Sequence, residues 1–210
     1  FDRPILRQII QNGVPSGFQN SVIALANVFV QSNINAFGRM AMAGCGSYSK
    51  IEGFAFLPVT CFTMALTTFV SQNLGAKQYD RAKKGAWFGI LCSISIAELI
   101  GFTIYAAAPF LIAAFNSDPD VVHYGVMQAR TIALFYFLLA FSHCIAAVLR
   151  GSGNASVPMF VMLCVWCLFR VSYITAAVHF IPDIRVVFWA YPLTWSISSC
   201  IFLYLFTGGN

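Results

Sequence analysis

The sequence predicts an all-α integral membrane protein, a bundle of six transmembrane helices. Of its 210 residues, 59% are hydrophobic and only 9% are charged. Six long apolar runs fill the chain, and the charged residues fall mainly between them. An α-helix needs about 20 apolar residues to cross a bilayer core. Backbone groups in lipid must be paired within their own segment, which favours helices over an open sheet.

Apolar length defines the predicted spans, and polar or charged gaps separate them. In chain order the spans are 13–37, 51–74, 85–114, 122–149, 157–180 and 186–206. The features that precede them are, in the same order, Arg3 and Arg7, then Lys50, then the basic loop 77–84, then Asp118 and Asp120, then Arg150 with Gly151-Ser152-Gly153, then Asp183 and Arg185. Proline lies inside three spans, at Pro15, Pro58 and Pro192, where a missing N–H can bend a helix.

The distribution of positive charge predicts the orientation of the bundle. The loop 77–84 holds four cations, and Arg3, Arg7 and Arg150 fall on the same predicted side. The positive-inside rule makes that side cytoplasmic, and six spans return both chain ends to it. We expect a multi-pass protein of a bacterial cytoplasmic membrane. The net charge of +5 is spread among loops, so it does not indicate nucleic-acid binding.

Amide side chains form a stripe along the first predicted span. Gln19, Asn20, Asn27 and Gln31 recur near i, i+1, i+8 and i+12, which places them on one side of a helix. An amide that faces lipid costs free energy. The stripe therefore predicts either the lining of a wet cavity or hydrogen bonding between helices.

Three ionisable side chains lie deep in the predicted spans: Glu98, His143 and Arg170. At 1.5 Å per residue, Glu98 and Arg170 lie roughly 21 and 18 Å from the cytoplasmic starts of their spans. The similar depths predict a buried Glu98–Arg170 ion pair. Such a pair either holds helices together or leaves Glu98 free to carry a proton. His143 is either a packing residue or a proton relay.

The seven cysteines lie mostly inside spans. Cys164 and Cys167 form a CxxC, but on a membrane helix that spacing places two small apolar residues on one face. We therefore expect no disulfide framework, metal site or cofactor. No Ser/His/Asp or Cys/His arrangement emerges, so catalytic residues are not predicted and the chain is not expected to be an enzyme.

Several segments, taken in order, resemble one transporter family. They are 13–15 (GVP), 50–58 (KIEGFAFLP), 67–76 (TTFVSQNLGA), 79–84 with Tyr79-Asp80-Arg81, 149–153 (LRGSG), Arg170 and 191–195 (YPLTW). Together they resemble the carboxy-terminal half of the multidrug and toxic compound extrusion (MATE) transporters. The resemblance covers essentially the whole chain, and its cytoplasmic loop motif includes Gln72, Asn73, Gly75, Arg81 and Arg150.

The resemblance implies one six-helix lobe of a twelve-helix antiporter. Proton or sodium entry would be coupled to export of amphipathic, often cationic compounds by alternating access, with binding in a cavity between lobes near the midplane. The expected partners are the lipid bilayer, such small molecules and the amino-terminal lobe of the same polypeptide. The expected substrate-cavity residues are Gln19, Asn20, Asn27, Gln31, Met64 and Tyr136.

Some family members carry acidic residues for the coupling ion in the helices that correspond to the first and fourth spans. Here those two spans contain no Asp or Glu at depth. We therefore expect the coupling carboxylate in the amino-terminal lobe. The chain begins at Phe1 and stops at Asn210, and we expect it to be a fragment. The alternatives are a lipid-linked precursor flippase of the same superfamily, an intramembrane enzyme that uses Glu98 and His143, and a non-transporting membrane scaffold.

Overall fold

A computed structural model describes residues 2–207, so the predicted domain limits at 1 and 210 lie outside the described residues. The described chain is a succession of helices joined by short turns. The segments are α1 (Arg3–Asn35), α2 (Arg39–Gly75), α3 (Tyr79–Ala113), α4 (Pro119–Ile132), a 3-10 turn (Ala133–Phe135), α5 (Tyr136–Gly151), α6 (Ser156–Met162), a π-helix (Leu163–Phe169), α7 (Arg170–Phe180) and α8 (Ile184–Thr207).

The all-α membrane class is confirmed, but the number of apolar spans is not six. Within residues 2–207, five helical segments are long and apolar enough to cross a membrane. They are Arg39–Gly75, Tyr79–Ala113, Pro119–Gly151, Ser156–Phe180 and Ile184–Phe206. The helix outside this set is α1, whose 33 residues include the amide stripe. The prediction of six apolar spans is therefore corrected to five apolar helices and one amide-rich helix.

Two helices begin well before the predicted spans. Helix α1 starts at residue 3 rather than 13, and α2 starts at residue 39 rather than 51. The early part of α2 is rich in Ala, Gly and Ser, whose low hydropathy resembles that of a loop. These small residues are nevertheless buried at Ala41, Gly44 and Cys45, because they let neighbouring helices approach closely.

The core lies around α2, α3, α4, α5 and α8, which pack on one another. A second, smaller apolar cluster joins α1 and α2 to α7 and α8, and it includes Val30, Ile34, Ile174 and Phe188. Helix α1 packs chiefly on α6 and the π-helix and less on α2. This leaves α1 at the edge of the bundle, with room between its middle and the central helices.

The predicted loop motif forms the α2–α3 turn, except for Arg150, which lies at the end of α5. Helix α2 ends at Gly75, and the carbonyl oxygen of Gln72 accepts from the backbone N–H of Ala76 at 3.0 Å. Asn73 is buried, and its Nδ2 donates to the carbonyl oxygen of Phe69 at 2.7 Å. Arg81 donates from Nη1 to Gln78 Oε1 at 3.3 Å. The motif therefore fixes a turn.

We expect Gly44→Ala to destabilise the bundle and Gly46→Ala, on the same helix, to leave it nearly unchanged. A Cβ at Gly44 would lie 2.5 Å from the Val121 carbonyl oxygen and 2.9 Å from the Gly125 nitrogen, so α2 and α4 would have to separate. Such overpacking costs about 1–3 kcal/mol. A Cβ at Gly46 meets nothing within 4 Å. Thermal unfolding of the two purified variants checks this, and equal midpoints would contradict it.

Candidate functional site

Two cavities lie between α1 and the central helices. The wide cavity, of about 640 Å³, is lined by Ser16, Gln19, Asn20, Ile23, Thr60, Thr63, Met64, Thr67, Thr68, His143 and Arg150. The deep cavity, of about 410 Å³, is lined by Asn20, Ile23, Asn27, Gln31, Ser49, Glu52, Phe56, His143, Trp166, Arg170, Tyr191 and Trp195. Three residues are common to both, so the two cavities adjoin. Together they form a polar passage along α1.

The structure brings the whole amide stripe to these cavities. Gln19 lines the wide cavity, Asn27 and Gln31 line the deep cavity, and Asn20 lies between them. Gln19 is buried, and its Oε1 has no hydrogen-bond partner among the described residues. Gln31 Nε2 donates to Asn35 Oδ1 at 2.9 Å, within the same helix. The stripe thus offers its amides mainly to the cavities, with one hydrogen bond across to another helix, from Arg170 to Asn27.

The two other predicted cavity residues, Met64 and Tyr136, lie in different environments. Met64 lines the wide cavity and is 66% exposed. Tyr136 is only 2% exposed and lines neither cavity. Its ring packs edge-on against Phe56, and its hydroxyl lies 2.8 Å from the Tyr48 hydroxyl. The expectation that Tyr136 offers its ring to a ligand is therefore corrected, because it begins α5 inside the core rather than at the cavity wall.

Arg170 begins α7 at the wall of the deep cavity and is 1% exposed. Its guanidinium carbon lies 4.9 Å from the centre of the Trp166 ring and 4.8 Å from that of Tyr191. Its Nη1 donates to Asn27 Oδ1 at 3.4 Å, and its Nη2 donates to Thr194 Oγ1 at 3.0 Å. Arginine suits such a site, because its planar group stacks on rings while its edges donate hydrogen bonds.

The predicted Glu98–Arg170 ion pair is not formed. Glu98 is half-buried on α3 and interacts with the backbone of Phe137, and its Oε2 has no hydrogen-bond partner among the described residues. Glu98 lines neither cavity. Equal depth along two helices does not place their side chains on facing sides, and here Glu98 and Arg170 face different neighbours.

The acidic group near Arg170 is instead Glu52, which the sequence analysis missed. Glu52 lines the deep cavity together with Arg170, and the two interact electrostatically. Helix α2 starts at Arg39, so Glu52 lies roughly 20 Å along it at 1.5 Å per residue. Hydropathy gave no signal for this position, because small residues precede it; the helical spacing of the buried positions 41, 44, 45, 48, 51, 55 and 59 is visible only in the structure.

His143 lies where the two cavities meet. Its Nδ1 lies 3.1 Å from the Leu139 carbonyl oxygen, and its ring packs edge-on against Trp166 at 5.3 Å and Phe56 at 6.4 Å. With Nδ1 donating to that carbonyl, Nε2 is the nitrogen left to face a ligand. This geometry suits a packing residue and also keeps one ring nitrogen at the cavity. Both interpretations of His143 remain predictions.

The deep cavity combines aromatic faces with polar groups that lack protein partners. Phe56, Trp166, Tyr191 and Trp195 contribute rings to its wall. The indole nitrogens of Trp166 and Trp195 are buried and have no hydrogen-bond partner among the described residues. A cavity that combines aromatic rings with placed polar groups is typical of sites for small molecules.

We expect Thr194→Val to destabilise the protein and Thr175→Val to change its stability little. The first change removes the oxygen that accepts from Arg170 Nη2, and a hydrogen bond to a charged group contributes about 1.5–3 kcal/mol. Thr175 is exposed and donates only to the Val171 carbonyl oxygen of its own helix. Thermal unfolding of the two variants tests this. An equal effect would show that Thr194 does not support the guanidinium.

Comparisons with known proteins agree with this architecture. The MatE family model matches residues 15–174. The chain is 22% identical over 200 residues to the probable multidrug resistance protein YoeA of Bacillus subtilis, covering 94% of this chain and 43% of that protein. It is 26% identical to the probable multidrug resistance protein NorM of Thermotoga maritima, covering 76% of this chain and 35% of that protein.

The fold is also similar to that of a solved transporter. A MOP superfamily transporter from Pyrococcus furiosus superposes with a TM-score of 0.88 at 17% identity, covering 94% of this chain and 44% of that chain. The chain thus spans less than half the length of the relatives that it matches. Since the family model covers most of the sequence, in agreement with its motifs, the chain belongs to the MatE family.

Proposed function

We propose that the chain is the carboxy-terminal six-helix lobe of a cation-coupled antiporter in the cytoplasmic membrane. The antiporter exports amphipathic, often cationic drugs or metabolites by alternating access, driven by proton or sodium entry. The observation that carries this proposal is the deep cavity, which holds aromatic rings, amides and a carboxylate between α1 and the central helices.

The exposure of the two charged groups supports an organic cation as substrate. Arg170 is 1% exposed, and the rings of Trp166 and Tyr191 lie against its guanidinium. Glu52 is only half-buried at the same cavity. The cavity therefore presents a carboxylate and aromatic faces rather than a free guanidinium. Each contact between a cation and an aromatic face contributes on the order of 1 kcal/mol, which suits broad and weak selectivity.

The names of the relatives and their lengths support a lobe of an efflux protein. Two relatives are named as probable multidrug resistance proteins, and the chain covers 43% and 35% of them. In this proposal the second lobe supplies the opposite wall of the passage. The chain by itself would then hold one half of the substrate site and would not transport.

A lipid-linked precursor flippase is the second candidate. The observation that favours it is the wide cavity, which Arg150 lines without any carboxylate. Export of a small organic cation that is unaffected by Arg150→Ala favours the antiporter. Loss of lipid translocation in that variant, with no drug export in the unmodified protein, favours the flippase. A membrane scaffold would show neither activity.

We expect Asn27→Ala to weaken transport of tetraphenylphosphonium and Asn33→Ala to leave it unchanged. Asn27 lines the deep cavity and accepts from Arg170, so its loss removes about 1 kcal/mol, roughly a fivefold rise in KM. Asn33 donates to the Phe29 carbonyl oxygen of its own helix and lines neither cavity. Uptake into proteoliposomes that contain the complete transporter measures the difference. Identical KM values would remove Asn27 from the site.

We also expect an antibody against residues 77–84 to detect a polypeptide of about twice the mass of the 210-residue chain, since the curated relatives are more than twice as long. An immunoblot of membranes from the source organism makes this measurement, with a strain that lacks the gene as control. A band at the mass of the chain itself would contradict the two-lobe proposal and would require two copies of the chain to form the passage.

A further inference from the structure

The acidic residues divide into two groups by position. The five aspartates lie at or beside the starts of helices: Asp2, Asp80, Asp118, Asp120 and Asp183. The two glutamates, Glu52 and Glu98, lie inside helices. Only Glu52 lines the deep or the wide cavity. It is therefore the one carboxyl among the described residues that lies at depth and can be reached from the passage.

Glu52 lies beside two tyrosine hydroxyl groups that contact each other. Tyr48 Oη donates to Glu52 Oε1 at 3.5 Å, and the hydroxyls of Tyr48 and Tyr136 lie 2.8 Å apart. A phenol has one proton to donate. Either hydroxyl can be the donor in the Tyr48–Tyr136 contact. When Tyr48 donates to Glu52, its oxygen is left to accept from Tyr136, and the bond from Tyr48 stabilises a negative charge on Glu52.

Arg170 attracts the negative charge of Glu52 but does not form a close ion pair with it. Its Nη1 and Nη2 donate to Asn27 and Thr194, and the rings of Trp166 and Tyr191 lie against its guanidinium. The guanidinium is therefore held in place by its own partners and not by Glu52. An incompletely paired carboxylate inside a membrane protein is costly, and uptake of a proton removes that cost.

We propose that Glu52 is a proton-binding site of this lobe, alternately protonated and deprotonated through the deep cavity. Tyr48 and Arg170 stabilise the deprotonated form, and the apolar surroundings of α2 favour the protonated form. The charged and titratable groups that face Glu52 from its own helix and from the elements around it are Tyr48 on α2, Tyr136 and His143 on α5, Arg170 on α7 and Tyr191 on α8.

A proton fits this site better than a sodium ion. A hard cation needs several oxygen ligands at once, whereas a proton needs only the carboxylate. A metal ion at Glu52 would also lie beside the Arg170 guanidinium. The inference deepens the proposed antiport, on which it rests, by placing a proton site within this lobe.

The test compares Glu52→Gln with Glu98→Gln in the complete transporter. Glutamine keeps the oxygen that accepts from Tyr48 but cannot take up a proton. Infrared difference spectra between acidic and neutral pH detect the carbonyl band of a protonated carboxyl in the purified protein. We expect Glu52→Gln to lose a band that Glu98→Gln retains. In proteoliposomes, Glu52→Gln should lose export of tetraphenylphosphonium driven by a proton gradient and retain exchange of labelled for unlabelled compound.

Each outcome bears on one of the two proposals. An unchanged band in Glu52→Gln overturns the proton site, whatever the transport result. The absence of export and exchange in the unmodified protein would contradict antiport, while the spectra would still test Glu52. If Glu52→Gln does not fold, Glu52→Asp serves instead. The shorter side chain should shift the carbonyl band of the protonated carboxyl, and an unshifted band overturns the proposal. Export driven by a sodium gradient with no carboxyl band would also overturn it.

Discussion

Because a guanidinium inside an apolar bundle is costly unless its donors and faces have partners, Arg170 constrains the elements around it. Its Nη1 reaches Asn27 of α1 and its Nη2 reaches Thr194 of α8, while the rings of Trp166 and Tyr191 lie against the guanidinium. Its Nε has no hydrogen-bond partner among the described residues. One side chain therefore links three separate parts of the chain at the wall of the deep cavity. The position of the edge helix α1 depends on this contact as well as on a small apolar cluster.

The amide content of α1 explains why the cavities lie where they do. A helix with amides along one side cannot be enclosed in an apolar core without partners for them. Helix α1 accordingly buries only a narrow set of side chains, including Ala26, Val30 and Ile34, and turns its amides toward the cavities. The amide side chains thus make α1 less apolar than the other helices and also give the bundle a polar passage.

Two segments depart from α-helical geometry, and one of them lines the deep cavity. The 3-10 turn at 133–135 separates α4 from α5, and the main chain of α3 approaches it closely at Gly101, where a Cβ would meet the Ala133 carbonyl oxygen. The π-helix at 163–169 carries Trp166 and leads directly into Arg170. Wide turns of this kind are frequent at functional sites. Cys164 and Cys167 lie in this π-helix, where Cys164 is exposed and Cys167 is half-buried.

The sequence by itself determined the all-α membrane class, the family and the side of α1 that carries the amides. Apolar length and helical periodicity are local properties, so they can be read without knowing what a helix packs against. The same reasoning located Arg170 at depth but assigned it the wrong partner. Depth along a helix follows from residue number, whereas the direction of a side chain depends on which neighbour the helix faces.

Only the tertiary structure decided that Glu52 lies deep and that Tyr136 is enclosed. The small residues at 39–50 have low hydropathy, so the predicted span began at residue 51, twelve residues after the start of α2, with Glu52 as its second residue. Their burial is a consequence of close helix approach, as at Gly44, which depends on residues that are distant in the chain. The site therefore arises from contacts between helices. Hydropathy is a property of single segments, so it cannot predict those contacts.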